Sequence, residues 1–386
     1  MSALMAPDDV TNLVNRIHDR PAQLVLEFTG AGAVALAWLH SVGGSSRTVL
    51  EASDRYSPGA LIDLIGYTPD RYTGLPTSKA MAGKALARAR ELAAAGTPVI
   101  GIGASATIAT DRLKKGEHRA AVVLAGALGL QGFELTLEKG SRARAEEEEL
   151  VSRLILNAIA RGKGLLKSVE PGLLDSEGLT ETFEPAPELK KFIQGETGSV
   201  MQRPDLSLAE PPAGPLLILS GSFNPLHHGH TGLAQAAAHY LNQPVHFELP
   251  LINADKPEVA LAEVQPRSSQ FAGLGPVLLT QAPLFVDKAR LFPGSTFIIG
   301  VDTATRLLDE RFYGSSESRQ AAFSELEELG AKFLVAGRKK PDGFAVLNDL
   351  GIPAQLKHLF SGLPEDEFRV DISSTELRQQ RAGVVR

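Results

Sequence analysis

Short apolar runs alternate along most of the chain with longer stretches in which apolar residues recur every three or four positions. Leu24–Phe28, Thr48–Glu51, Val99–Ile102, Ala120–Leu124 and Phe133–Leu137 read as strands. Ser78–Ala94 and Arg144–Ile159 read as helices, because their apolar positions fall on one face at helical spacing. Strands alternating with helices predict a layered α/β architecture on a mainly parallel sheet. Glu146–Glu149 opens the second helix. Carboxylates there complement the positive end of the helix dipole, so this run reads as a solvated helix start.

From Gly164 to Gly214 the periodicity fades and Pro, Glu, Gly and Ser accumulate, which reads as a connector holding one short helix at Glu188–Ile193. An apolar strand, Leu216–Leu219, then opens a second α/β set. The expected organisation is a first domain at 1–164, a connector at 165–214 and a second domain at 215–386, which suits a chain of 386 residues. With 43% hydrophobic and 22% charged residues the chain is a packed globular protein rather than a disordered one. A net charge of −6 gives no overall pull toward nucleic acid or an anionic membrane. The absence of cysteine excludes disulfides, thiolate nucleophiles, Cys–zinc sites and iron–sulfur clusters. The first residues lack a basic start followed by an apolar core, and no run approaches the ~18 apolar residues of a membrane helix, so a cytoplasmic location is expected.

Candidate chemistry concentrates behind the Leu216–Leu219 strand, in Gly221-Ser222-Phe223-Asn224-Pro225-Leu226-His227-His228-Gly229-His230 followed by a helical Thr231–Tyr240. A glycine-opened turn between strand and helix lets backbone N–H groups approach phosphate oxygens, and the helix N-terminus adds partial positive charge. His227 and His230, three apart, can face one phosphate and donate to charge developing on it. Two histidines in a glycine- and proline-framed turn exceed what a helix cap needs. No third ligand from a nearby His or carboxylate supports a metal, so no metal site is expected there.

This segment matches the G-x-F-x-P-x-H-x-G-H signature of the nucleotidyltransferase superfamily, and Ile372-Ser373-Ser374-Thr375-Glu376-Leu377-Arg378 resembles its I-S-S-T-x-x-R signature. The resemblance implies a Rossmann-like domain with a parallel sheet and ATP with Mg²⁺ as co-substrates. It also implies in-line attack by a substrate phosphate on the α-phosphorus, with release of pyrophosphate. It gives His227, His230 and Arg378 catalytic roles, and places Gly221, Ser222, Phe223, Gly229, Ser373, Ser374 and Thr375 around ATP. Hydroxyls and a forked guanidinium suit phosphate oxygens equally on chemical grounds. Within the superfamily, Phe297–Thr303 is similar to the G-x-D element of nicotinamide mononucleotide adenylyltransferases, which carries an adenosine-holding role onto Gly300 and Asp302. Arg338, after the Phe333–Ala336 strand, also fits that family. Asp302 reads as well as an N-cap for Thr303–Leu308. Lys256 and Arg267 fall on the family's substrate side, or are solvated surface cations. That family stacks the pyridine on a tryptophan, but the one Trp here is Trp38, so Phe312 and Tyr313 are the stacking candidates. The implied function is adenylyl transfer to nicotinamide or nicotinate mononucleotide. The alternatives are another phosphorylated acceptor, since phosphopantetheine and glycerol phosphate transferases share the first motif in related forms, or a non-catalytic sensor.

In the first half, Gly30-Ala31-Gly32 after a strand, with Glu51 about twenty residues on, has the spacing of a dinucleotide-binding turn. A longer series resembles the C-terminal domain of the competence/damage-inducible A (CinA) proteins, whose active members deamidate nicotinamide mononucleotide. The series runs through Glu27–Gly32, Val42–Ser46, Arg55-Tyr56-Ser57, Pro76-Thr77-Ser78, Val99–Gly103 and Gly140-Ser141-Arg142. The resemblance implies a pocket containing Thr29, Tyr56 and Arg142, with either Arg142 or Arg144 keeping the family's arginine, and a homo-oligomer, dimer or higher. This sequence departs from the family at the nucleophilic serine, where Thr29 is the nearest hydroxyl, and at the lysine, which falls near Leu61. A β-branched threonine is a poorer nucleophile and a leucine carries no charge. The expectation is a retained fold with reduced or absent deamidase activity.

Overall fold

The computed structural model describes residues 6–111, 115–166, 168–252, 260–340 and 343–369. They form two compact units that do not divide the sequence at one point. The first comprises residues up to Gln194, Gln202–Leu208 and Ala260–Leu274, and the second takes the rest.

In the first unit, α1 (Asp8–His18) precedes β1 (Gln23–Thr29), α2 (Ala33–Ser41), β2 (Val49–Asp54), α3 (Pro58–Ile65) and α4 (Leu75–Leu92). Then come β3 (Val99–Thr107), β4 (His118–Gly126), β5 (Gly129–Leu137), α5 (Arg144–Gly162), β6 (Leu179–Pro185) and α6 (Pro187–Ile193). The strand order is β2-β1-β3-β4-β5-β6. β1 is parallel to β2 and β3, but β3, β4, β5 and β6 run antiparallel. The expected mainly parallel sheet is therefore mixed in this unit. β4 and β5 are joined only by Ala127 and Leu128, too few residues for the crossover that parallel neighbours need. α4 lies directly on β3. A Cβ at Gly101 would meet the Leu86 nitrogen at 2.2 Å, and one at Gly103 the Ala82 nitrogen at 2.4 Å. The opposite face is closed by Leu150, Val151, Leu154, Ile155, Ala158 and Ile159 of α5, all in one buried cluster with Leu24, Leu26 and Ile102.

The segment read as a connector is structured. β6 is the edge strand of the first sheet, and α6 buries Leu189 and Phe192. Its weak periodicity reflects half-exposed edge positions, which carry no clean alternation.

The second unit has eight strands in the order β16-β13-β12-β9-β10-β11-β7-β8. The edge pair is β7 (Ser199–Gln202) and β8 (Leu208–Ala209), and the central strands are β9 (Leu217–Ser220), β10 (Val245–Pro250), β11 (Val277–Thr280), β12 (Thr296–Gly300) and β13 (Lys332–Ala336). A small ribbon, β14 (Arg338–Lys340) with β15 (Gly343–Ala345), precedes β16 (Phe360–Gly362). The helices are α7 (His228–Leu241), α9 (Phe285–Leu291), α10 (Val301–Leu308) and α11 (Ser316–Glu328), while α8 (Leu261–Ser268) belongs to the first unit. β11, β10, β9, β12, β13 and β16 pair in parallel, in that order across the sheet. Counted from β9, their order is 3-2-1-4-5-6, that of a doubly wound Rossmann-like sheet. Phe297, Phe333, Phe323 and Phe360 fill one face with α9, α10 and α11. No helix among the described residues is long and apolar enough to cross a membrane.

Candidate functional site

In a doubly wound sheet the crevice for ligands opens at the carboxyl ends of the two strands where the order reverses, here β9 and β12. The histidine turn and the Gly300–Asp302 element leave from those two ends. β9 ends at Ser220, and Gly221 follows with its N–H bound to the Glu248 carbonyl of β10 at 3.0 Å. Ser222 lies in the same turn. Phe223 is buried with φ +40°, and the Asn224–Pro225 peptide is cis. α7 begins at His228, so His227 is its N-cap and Gly229 and His230 lie in its first turn.

The two histidines share one place. Their rings stack with centroids 3.7 Å apart and an interplanar angle of 23°, and the Phe223 ring meets His230 edge-on at 5.0 Å. The His230 Nδ1 accepts the His227 backbone N–H at 3.3 Å. This is the return half of a capping box, so the cap set aside in the sequence is present as well. With Nδ1 accepting, the ring proton sits on Nε2, leaving a donor there. Burial and the neighbouring His227 hold the His230 pKa down at about 3, so the ring is neutral at physiological pH.

Across the switch point, Gly300 rather than Asp302 is the N-cap of α10. Asp302 stands in the helix's first turn and forms an ion pair with Arg338, the first residue of β14. The structure thus joins two residues that the sequence could only assign separately. Beside the turn, the buried Glu248 carboxylate accepts Lys288 Nζ at 2.7 Å and the Thr280 hydroxyl, and Lys288 also donates to the Ala282 carbonyl at 2.7 Å. These ties cross-brace the ends of β10 and β11. Nothing in the local sequence pattern marks Glu248, because its partners come from two other elements.

Ser373, Ser374, Thr375, Arg378 and Lys256 lie outside the described residues. Arg267, read as a substrate-side residue of the second half, is not part of this unit. It sits on α8 in the first unit and pairs with Glu263 one turn away at 2.7 Å. Phe312 and Tyr313 line an apolar cavity with Phe285, Leu284, Thr303 and Arg306, and the Tyr313 hydroxyl donates to the Leu307 carbonyl at 2.9 Å.

The first unit has its own pocket, at the carboxyl ends of β1 and β3. It is lined by Thr29, Gly30, Arg55, Tyr56, Leu61, Tyr72, Thr107 and Arg144 among others. Gly30, at φ +82°, lies so close to β3 that a Cβ would stand 1.9 Å from the Ala106 carbonyl oxygen. Arg142 is not in this pocket. Its guanidinium grips Glu177 at 2.6 and 2.8 Å and the Gly172 carbonyl at 2.8 Å. Burial alone would raise the Glu177 carboxyl, but Arg142 and two backbone N–H groups hold it at about 2. Arg144 lines the pocket instead, two residues on, where the first turn of α5 faces it.

The glutamate run at α5 is a second correction. Glu147 is fully buried and accepts the Ala109 N–H at 2.7 Å and His118 Nδ1 at 2.8 Å. Glu148 accepts the Gly32 and Val34 N–H groups at 2.8 and 3.2 Å, capping α2. Glu147 is thus not a solvated side chain and Glu148 is half-buried, while Glu146 is exposed at the helix start as read. Periodicity within one helix cannot reveal that its carboxylates complete turns more than thirty residues away. Glu27, also buried, holds Arg55 with two bonds of 2.7 and 3.1 Å.

No protein-family model and no curated protein matches the chain. Among solved structures, it is similar to the competence/damage inducible protein CihA from Agrobacterium tumefaciens (20% identity, 40% of this chain, 95% of that chain, TM-score 0.31). It is also similar to a competence or damage-inducible protein from Enterobacter asburiae (13%, 40%, 96%, 0.31) and to the competence damage-inducible protein A from Klebsiella pneumoniae (13%, 40%, 94%, 0.31). At that TM-score the likeness decides nothing about chemistry, which rests on the chain's own residues.

Proposed function

We propose that the second unit transfers the adenylyl group of ATP to nicotinamide or nicotinate mononucleotide, giving a dinucleotide and pyrophosphate. The observation that carries this reading is the stacked histidine pair, with a neutral His230, at the carboxyl end of the first strand of a 3-2-1-4-5-6 sheet. In this reading a phosphate oxygen of the mononucleotide attacks the α-phosphorus in line. A P–O bond forms as the bond to the bridging oxygen breaks, and pyrophosphate departs without a covalent enzyme intermediate. His230 Nε2–H donates to the charge building on the phosphoryl oxygens, and the α7 N-terminus adds its partial charge. Asp302 and Arg338 hold the adenosine side. Mg²⁺ fits as a passenger of the triphosphate. Among the described residues no group of three His, Cys, Asp or Glu side chains could cage a metal, and Mg²⁺ takes most of its ligands from phosphate and water. The ion would neutralise the transferring phosphates.

The first unit, in the same reading, is a pyridine-mononucleotide pocket without robust amide hydrolysis. Leu61 is buried in its lining where the resembled family has lysine, and Thr29 supplies the one hydroxyl at the nucleophile's place. A cytoplasmic homo-oligomer is part of this reading.

Mass spectrometry of the full chain with ATP, Mg²⁺ and both pyridine mononucleotides tests it. A dinucleotide with pyrophosphate is the expected result. Conversion of the amide to the acid without ATP would overturn the reading of the first unit. Neither product would move the acceptor to another phosphorylated compound, or make the chain a sensor.

A further inference from the structure

In the first unit, α4 covers one face of the sheet only in part. Its Ala82 and Leu86 bury Val123 and Ala125 of β4. At the helix start, a Cβ at Gly132 of β5 would meet the Leu75 Cδ1 at 2.5 Å. Residues two apart on a strand, and register partners on paired strands, share a face. Ala121 is the partner of Glu134, so Arg119 and Glu134 continue this face past the end of the helix. A cavity of about 420 Å³ opens there, against about 210 Å³ for the pocket at Thr29. That volume lies within the roughly 300–1,000 Å³ of small-molecule sites. Its other wall is the loop between α3 and α4, with Tyr67 and Pro69, and the first residues of α4, Leu75 and Pro76. Tyr67 is 52% exposed, so the core does not use its ring. The charges around the cavity are not matched to one another. Arg119 pairs with Glu117 at 3.2 Å rather than with Glu134, its diagonal neighbour across the strand pair. Half-buried Glu134 forms no ion pair among the described residues, and neither do Asp70 and Arg71 on the exposed rim. α4 begins at the cavity with no side-chain cap and no acidic residue in its first turn, which leaves its positive end uncompensated.

We propose that this cavity binds a free α-amino acid with an apolar side chain, independently of the transfer reaction. Glu134 accepts the ammonium in charge-assisted hydrogen bonds, and Arg71, helped by the positive end of α4, meets the carboxylate. Tyr67, Pro69, Leu75 and Pro76 cover the side chain. A simple amine leaves Arg71 unmatched, and a simple carboxylate sits against Glu134, so a ligand carrying both charges is favoured over either. Thr73 lines both this cavity and the pocket at Thr29, so the loop between α3 and α4 is a wall common to the two.

The test uses the full chain, titrated with L-phenylalanine, phenethylamine, phenylpropionate and glycine and followed by ligand-observed NMR. Phenylalanine should bind at least about 10-fold more tightly than phenylpropionate, which lacks the ammonium that half-buried Glu134 accepts. Its margin over phenethylamine should be about 3-fold, since Arg71 stands on the exposed rim, where an ion pair is worth less. Glycine has both charges but nothing to cover the apolar wall, and should bind at least about 10-fold more weakly. Glu134→Gln should bring phenylalanine and phenylpropionate within about 3-fold of each other. Arg71→Met keeps the stem and should erase the margin over phenethylamine. A circular dichroism spectrum of each variant matching that of the unaltered chain separates lost binding from lost fold. No binding of phenylalanine, equal binding of phenylalanine and phenylpropionate, or a preference that Glu134→Gln leaves unmoved overturns the proposal, the last by placing the amino acid in another cavity.

Discussion

The two units treat their polar residues differently. In the first, the buried carboxylates are committed to the scaffold. Glu147 holds Ala109, Glu148 caps α2, Glu27 clamps Arg55 and Glu177 is locked to Arg142. In the second, Glu248 is committed in the same way to Lys288 and Thr280, but the switch-point turn keeps a ring N–H on a neutral histidine, next to an aspartate–arginine pair at the neighbouring strand end. The lesson is that counting polar residues around a cavity says less than asking which of their atoms are already engaged.

That contrast can be broken in four places. Phe271, fully buried on the segment that the second half of the sequence contributes to the first unit, should cost about 3–5 kcal/mol of that unit's stability when changed to Ala. Denaturant unfolding followed through Trp38 measures it, and an unshifted midpoint would detach the segment from the first unit. Removing the buried Glu147 charge with Glu147→Leu orphans the Ala109 N–H and His118, for a loss of about 3 kcal/mol with adenylyl transfer unchanged. A loss of transfer without a loss of stability would reverse the assignment of scaffold and chemistry.

His230→Gln sharpens the other side. Glutamine at the third helical position preserves the cap, so stability should hold within about 0.5 kcal/mol, while loss of the imidazole donor should lower kcat at least ~100-fold. A variant of unaltered rate removes the mechanism. A pH-dependent effect concerns Lys163, buried beside Thr48 at 3.1 Å, whose pKa burial and Arg47 bring down to about 7. Its folded pKa lies below its ordinary value of 10.5, so the unfolded chain binds the proton more readily between those values. Stability should therefore rise as pH goes from about 7 toward 10.5, and Lys163→Met should flatten that slope. His230 acts in the same direction lower down, with stability lost as pH falls from 6.5 toward about 3.

Much of the architecture was legible in the sequence, because strand runs and helical periods are local. Leu24–Phe28 lies within β1, Arg144–Ile159 within α5, and the histidine turn falls between a strand and a helix as read. What escaped depends on partners far along the chain. The antiparallel half of the first sheet follows from a two-residue turn that periodicity does not weigh, and β6 lay in a stretch whose composition resembles a linker. Arg142 and Arg144 are indistinguishable by type and nearly by position. Only the direction each takes from the start of α5 sends one to Glu177 and the other to the pocket. Arg267 was misplaced for the same reason, since α8 follows β10 in sequence but packs with α5 and β6.

The passage of the chain out of the first unit at Gly195, back at Gln202, out again at Ala209, back by Ala260 and out at Gly275 has a consequence for descent. Neither unit is written in one uninterrupted stretch of code. A recombination event anywhere between residues 195 and 274 would separate a body from a piece of itself. Domains strung end to end can be shuffled among genes, but these two must be inherited together, and a change in either is selected in the company of the other.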